Sequence, residues 1–318
     1  MKNKPSLTTI ATGVSIVIPV YNREHTLQRM WQSILAQTVK PGCVILVDNG
    51  SSDASPEILQ SFADETDIPG MRIKLLLCRK RGAAAARNVG LAAVDTDWVM
   101  FFDSDDEMLP RHLEHAVNTA TRYRDADIIG WDALSIRSDG SKRVMPFEPE
   151  NALYHNIMHG CLATQRYMVR TDRVRQVGGW NESLRMWDDI ELGTRLLGGT
   201  VRLIKAHGAP LVRVYEGDDT ISGRKYSDRI PFYPTPLRIM AANLGLFGVD
   251  IIALKAMILA ADFTREGSKE GRRWRRKILH RTYDKHMRRL LRFAYSYRRM
   301  GGRGVARILY PFVLRRVK

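Results

Sequence analysis

Three aspartates, Asp103, Asp105 and Asp106, crowd into the stretch VMFFDSDDEML, and a second acidic pair, Asp188 and Asp189, stands in MWDDIEL. Each like charge raises the cost of ionising its neighbour, so a counter-charge is needed close by. Asp103 and Asp105, one residue apart, can offer two carboxylates to one hard cation such as Mg²⁺ or Mn²⁺, which takes oxygen ligands and is often completed by phosphates. A plainer use is also open: Asp105 or Asp106 could cap a following helix. Asp188 and Asp189 open a helix-like segment whose dipole favours ionised acids. Here too a purely structural alternative exists, with Asp188 as N-cap and Asp189 as a first-turn acid.

The elements that hold these acids are legible as an alternation. VSIVIPVYN (14–22) is a β-branched run stopped by Pro19 and Asn22, and EHTLQRMWQSILAQ repeats Leu27, Met30, Trp31, Ile34 and Leu35 at helical spacing. CVILVDNGSSD reads as a strand spilling into a turn. It is followed by the helix SPEILQSFAD, with Ser55 as a candidate cap and Pro56 in its first turn. RIKLLLC, AAAARNVGLAAV and WVMFFD continue as strand, helix and strand. The order predicts an α/β fold with a mostly parallel central sheet flanked by helices and right-handed crossovers. Ligands of such sheets sit beyond the carboxyl ends of the strands, so Tyr21–Asn22, Asp48–Asn49 and Asp103–Asp106 should converge on one crevice. Further along, a helix is expected near Pro110–Arg122 and a strand over ADIIGWDALSI. SDGSKRVMPFEPEN reads as a surface excursion, and a helix should start near Asp188.

The chain has 318 residues and a net charge of +16, and all of that excess lies in its last part. Residues 265–318 hold 19 Lys/Arg against three acids, whereas residues 1–264 balance 31 against 31. The sequence therefore divides into a flexible tail (1–12), a neutral catalytic-type domain (13–230) and a helical, basic C-terminal extension (231–318). In the extension Leu279, Tyr283, Met287, Leu290, Ala294 and Tyr297 recur at helical steps, which predicts one amphipathic basic helix. Trp274, Tyr283, Phe293, Tyr295 and Tyr297 are interleaved with its arginines, a pattern suited to an anionic membrane surface. Simple solvated packing is the next reading and nucleic-acid phosphate the third. Because this excess is remote from Asp103–Asp106 in sequence, a bound cation is the favoured neutraliser of those acids. Three cysteines suit a reducing cytoplasm, and no apolar run is long enough to cross a bilayer. Lys2, Lys4 and the apolar residues after them imitate a signal peptide only loosely, since threonines interrupt the run.

VSIVIPVYNREHTL, VDNGSSD, RGAAAARNVGLA, FFDSDD and WDDIEL, in that order, resemble the inverting family 2 glycosyltransferases of the GT-A fold over roughly residues 13–222. The resemblance implies transfer of a sugar from a nucleotide-diphosphate sugar to a glycan or lipid-linked acceptor, in cell-surface polysaccharide or lipooligosaccharide assembly. It implies a donor site made of Pro19, Tyr21, Glu24, Asp48, Asn49, Arg87, Asp103, Ser104 and Asp105. Within it Asp103 and Asp105 would hold a divalent Mn or Mg ion, and Asp106 would cap a helix or touch the donor sugar. Arg87 would either face the diphosphate or anchor the acidic cluster. The acceptor hydroxyl must lose a proton as it attacks, and the second acid of WDDIEL, Asp189, is the implied general base.

Some positions depart from the family pattern. Many relatives carry a second acid at the place of Asn49, where it contacts a uracil ring; an amide both donates and accepts, which leaves the donor base open. Tyr215 stands near the place of a histidine in VRVYEGDDTIS, so a third protein ligand for the metal is in question. His155 and His159, four residues apart, read as packing or surface more than as a metal pair. The QxxRW motif of processive synthases is absent, which points to one sugar per encounter. The implied location is cytoplasmic, peripheral to the inner face of the membrane. Competing readings are a catalytically silent nucleotide-sugar-binding relative and a basic nucleic-acid-binding protein.

Overall fold

In chain order the elements of the first part are β1 (Thr9–Val20), α1 (Glu24–Leu35), β2 (Val39–Asp48), α2 (Ser55–Glu65), β3 (Arg72–Leu77), α3 (Ala83–Ala92), β4 (Trp98–Phe101), β5 (Glu107–Met108) and α4 (His112–Arg122). There follow β6 (Ile128–Gly130), β7 (Ala133–Arg137), β8 (Lys142–Met145), α5 (Ala152–His159), β9 (Tyr167–Arg170), α6 (Thr171–Gln176), α7 (Asp188–Leu196), β10 (Leu203–Lys205) and β11 (Val212–Glu216). The chain ends in α8 (Pro234–Asn243), α9 (Leu246–Arg265), α10 (Lys269–Arg281), α11 (Lys285–Arg299) and α12 (Val305–Leu314). This computed structural model describes residues 9–216 and 225–314. Its contacts separate two units, 1–150 with 161–217, and 151–160 with 218–318.

The first unit is built on a seven-stranded sheet of order β10-β6-β9-β4-β1-β2-β3, parallel except for β9, which runs antiparallel to both neighbours. Val14, Ile16, Val17, Ile18 and Val20 of β1 are all buried, as expected of a central strand covered on both faces. Gly90 brings α3 against this sheet: a Cβ there would lie 2.3 Å from Val17 Cγ1. A second sheet, β5-β11-β7-β8, stands on the carboxyl side and carries the residue after the aspartate cluster, Glu107.

Four expectations need correction. Residues 9–12, read as flexible tail, belong to β1, and Thr9, Ile10 and Ala11 pair with Val39, Lys40 and Pro41. ADIIGWDALSI is two strands in two sheets, β6 and β7. The chain turns at Trp131–Asp132, where Asp132 Oδ1 accepts from Phe147 N at 2.6 Å and Trp131 N donates to Arg166 O at 3.1 Å. The supposed excursion contains β8, paired antiparallel to β7. Beside it, Phe147 is fully buried where a Cβ on Gly130 would come within 2.0 Å of its ring. Ser55 is the first residue of α2 and not its cap; its hydroxyl accepts from Arg23 N at 2.8 Å.

In the second unit, which also takes in α5, the long α9 packs α10 and α11. Asp262 is buried on α9, where it accepts from Arg298 Nε at 2.7 Å. The predicted single basic helix is broken. Asp284 caps a new start by accepting from Met287 N at 2.6 Å, and Tyr283 at the break is 90% exposed. The inward face of α11 is Met287, Leu291, Ala294 and Tyr295, so the break shifts the phase away from Leu290 and Tyr297. The rings of His155 and His159 lie 6.1 Å apart on α5. The stretch 217–224, where VRVYEGDDTIS continues past Glu216, lies outside the described residues.

Candidate active site

The carboxyl ends of β1, β2 and β4 lie side by side, because Val20 pairs with Asp48 in β2 while Val17 pairs with Phe101 in β4. Pro19 is buried within β1. Tyr21 leaves the strand end 45% exposed, with the Arg81 guanidinium 4.3 Å over its ring. Asp48 accepts from Gly50 N at 3.2 Å and Ser51 N at 3.1 Å, which fixes the turn after β2. Glu24 and Asp53 secure each other's helix: Glu24 N donates to Asp53 Oδ2 at 3.1 Å, and Ala54 N donates to Glu24 Oε2 at 3.0 Å. These bonds satisfy amides that helix starts leave open.

Asn49 is engaged by the protein itself. Its Nδ2 donates to Cys78 O at 3.0 Å and Lys80 O at 2.7 Å, while Oδ1 accepts from Gly82 N at 2.8 Å. The side chain thus ties the end of β2 to the loop that starts α3, a task an aspartate could not do because it cannot donate.

Arg87 is the hub of the acidic residues. Projecting from α3 with only 7% of its side chain exposed, it donates to Asp103 Oδ1 at 2.7 Å and Asp188 Oδ2 at 2.9 Å. The Trp180 ring lies 4.4 Å from the guanidinium carbon. Burial alone would weaken this cation, but Asp103 and Asp188 outweigh it and hold the guanidinium firmly protonated. Asp105 is met by Arg23 Nη2 at 3.3 Å, and Arg29 donates to its backbone carbonyl while stacking 3.9 Å over Tyr215. Burial and then Asp103 raise the Asp105 carboxyl above its ordinary range. The neutral body therefore does bring arginines to these acids, contrary to the expectation from charge counts.

Asp106 is neither a helix cap nor exposed. It is 2% accessible, accepts from Tyr215 N at 2.9 Å and pairs with Gln165 Nε2. Burial, then Asp105 and Asp103, push its carboxyl well above the usual range. Tyr215 in turn donates its hydroxyl to Glu107 Oε2 at 2.8 Å, so this residue braces the cluster from β11. Ser104 is buried, and its carbonyl accepts from Thr26 Oγ1 at 3.0 Å.

At the start of α7, Trp187 takes the N-cap position at φ +61°, a left-handed conformation costly for a bulky residue. This turn aims Asp188 at Arg87 and leaves Asp189 outside any ion pair among the described residues. Asp189 Oδ1 accepts from Ile190 N at 2.7 Å. Burial first, then Asp188, raise its carboxyl to about 7, close to where a base works at neutral pH. The Tyr167 hydroxyl and Trp180 Nε1 are buried and have no hydrogen-bond partner among the described residues.

The fit to a divalent cation rests on two acids. Among the described residues no group of three or more His, Cys, Asp or Glu side chains converges as a metal site. Asp103 and Asp105 each spend one oxygen on an arginine and, among the described residues, keep the other outside any ion pair. Two carboxylate oxygens suit a Mg²⁺ or Mn²⁺ completed by donor phosphates and water.

The sequence motifs pointed to Asp103, Asp105, Arg87, Asp188 and Asp189, and the structure links these through Arg87 and its neighbours. They gave no sign of Arg29, Gln165 or Tyr167. The only local hint was the arginine directly after Asn22, since the partners lie 59 to 82 positions apart in sequence.

The chain is 28% identical over 219 residues to the putative glycosyltransferase EpsE of Bacillus subtilis, covering 67% of this chain and 77% of that one. It is 27% identical over 234 residues to the succinoglycan biosynthesis protein ExoO of Rhizobium meliloti, covering 68% and 64%. An uncharacterized glycosyltransferase of Rickettsia typhi matches at 26% identity over 59% of this chain, and the match spans 60% of that relative's length. The structure of S. aureus TarS 1-349 in complex with UDP-GlcNAc superposes with a TM-score of 0.62 over 94% of this chain and 91% of that one, at 17% identity. The shared fold is GT-A. The profile of glycosyl transferase family 2 matches residues 15–174, just over half of the 318, and the chain belongs to that family.

Proposed function

We propose that the protein is an inverting glycosyltransferase. It moves a sugar from a nucleotide-diphosphate sugar to a hydroxyl of a glycan or lipid-linked acceptor in the assembly of a cell-surface polymer. The observation that carries this reading is an acid, Asp189, held beside the Arg87-linked pair of Asp103 and Asp188 without an ion pair of its own among the described residues, and raised to about 7 by burial and then Asp188. ExoO, named for succinoglycan biosynthesis, and GgaA of Bacillus subtilis, named for minor teichoic acid biosynthesis and 29% identical over 199 residues, support the class of product.

Asp189 takes the proton of the acceptor hydroxyl as its oxygen bonds to the anomeric carbon. The bond from that carbon to the diphosphate oxygen breaks on the opposite face, which inverts the centre. Asp188 stays paired with Arg87 and keeps α7 in place for the transfer. Asp103 and Asp105 would hold a divalent Mn or Mg ion, whose charge, when bound, offsets that of the departing diphosphate. Tyr21, Asp48 and the loop set by Asn49 form the wall on which nucleobase and ribose rest. Pro19, Glu24 and Ser104 shape that wall from behind, and Asn49 acts through the loop it holds. The basic helices of the second unit hold the enzyme to an anionic membrane on its cytoplasmic face, where a lipid-linked acceptor resides.

Thermal stability with sugar nucleotides plus Mn²⁺, combined with a turnover assay, tests this reading. Wild type should be stabilised by at least one sugar nucleotide. Asp105→Ala should lose that shift, and Asp189→Asn should keep it while losing turnover. A wild type that no sugar nucleotide stabilises would count against the proposal.

A further inference from the structure

From Lys285 to Leu314 the sequence holds eight Lys/Arg and no Asp or Glu. Water-facing helices usually mix the two signs, so a face of one sign looks for an anionic partner. The structure separates this segment into an inner and an outer side. On α11, Met287, Leu291, Ala294 and Tyr295 are buried, and the Tyr295 hydroxyl lies 2.9 Å from Thr264 Oγ1. Arg298 is also turned inward, onto Asp262. On α12 the buried residues are Val305, Ala306, Leu309 and Val313.

What remains outside is a different surface from the one that helical spacing suggests. Arg289, Arg292 and Arg299 are exposed on α11, and Arg307 is exposed on α12. Among them stand Phe293 at 46%, Met300 at 77% and Ile308 at 43% exposure. The Phe293 ring stacks on Tyr297 with centroids 5.6 Å apart. Arginines and apolar side chains exposed side by side on these helices fit the boundary of an anionic bilayer, where guanidinium groups meet lipid phosphates and apolar groups enter the acyl edge. A duplex would use the arginines but offers no apolar layer for Met300 and Ile308.

We infer that the outer face of α11 and α12, with Phe293, Met300 and Ile308 as inserting groups and Arg289, Arg292, Arg299 and Arg307 as phosphate contacts, docks on an anionic phospholipid surface. This inference rests on the membrane placement proposed above and names the face that performs it. Neither Leu290 nor Tyr295 takes part.

The test is co-sedimentation of the full-length protein with vesicles of phosphatidylcholine alone or mixed with phosphatidylglycerol, at low and high salt. Wild type should bind only the mixed vesicles and lose most of that binding at high salt. A Phe293→Ser, Met300→Ser, Ile308→Ser triple variant should lose about tenfold in partitioning. An Arg289→Gln, Arg292→Gln variant should bind the mixed vesicles more weakly and with a smaller salt dependence, with the melting temperature of both variants checked against wild type. Unchanged partitioning of both folded variants would overturn the assignment of this face while leaving membrane attachment standing. Failure of wild type to bind any vesicle would remove membrane attachment itself. Tighter binding to a generic duplex, insensitive to the triple substitution, would make nucleic acid the partner.

Discussion

The two units treat arginine in opposite ways. In the first, the arginines at the strand ends are matched: Arg87 holds two carboxylates and Arg23 one. In the second, only a few of the described arginines find an acid, Asp262 taking Arg298 and Arg265 and Glu270 taking Arg273, while Arg272, Arg276, Arg289, Arg292, Arg299 and Arg307 are exposed. Net charge measures the second kind alone, since a matched pair cancels in the count. The lesson is that a neutral region can be the more intensely charged one, with its ions turned on each other in a crevice.

The sharpest way to break this comparison is at the acid without an arginine. Asp189→Asn should lower turnover by about 10²–10⁴-fold, the usual contribution of a general base. In wild type, kcat/KM should rise with pH and level off above about 7, because Asp189 must be ionised to accept a proton. A flat profile would return Asp189 to a structural role. The same group affects stability with the opposite sign. Its native carboxyl binds protons up to about 7 and its unfolded one only to about 3.8, so its contribution to stability falls as pH rises between those values. Urea titrations of Asp189→Asn should show a correspondingly flatter pH dependence.

Arg87→Ala tests the matched pairs directly. Removing one partner of a buried ion pair strands the others, and a loss of about 3 kcal/mol is expected in urea unfolding. A neutral result would mean that the cluster does not depend on Arg87 for its fold. Asn49→Asp is a smaller lesion. It replaces two donated hydrogen bonds by repulsion between oxygens, for about 2 kcal/mol. The smallest effect is expected for Tyr167→Phe. Its buried hydroxyl has no partner among the described residues, so thermal unfolding should change by no more than about 1 kcal/mol.

Much of the first unit is legible in the sequence because β1 to β4 and their helices follow one another in strict alternation, and β1, β2 and β4 run into the polar residues Asn22, Asp48 and Asp103. ADIIGWDALSI defeats that logic. Its apolar run is continuous, and only the distant Phe147 and Arg166 show that the chain turns at Trp131. The aspartates after Phe102 could be read as a site, but their partners could not. Gln165 on Asp106 and Arg29 on the Asp105 carbonyl are created by the fold and leave no local trace. Periodicity likewise carried the basic helix past Asp284, because a helical repeat records spacing and not the capping bond that restarts it.

The exchange between Glu24 and Asp53 has a mechanical consequence. Each acid fastens the start of the helix that follows the other's loop, so the loops after β1 and β2 behave as a single clamp. In the proposed donor site this clamp would present one stiff jaw, and cutting either acid should loosen both sides together.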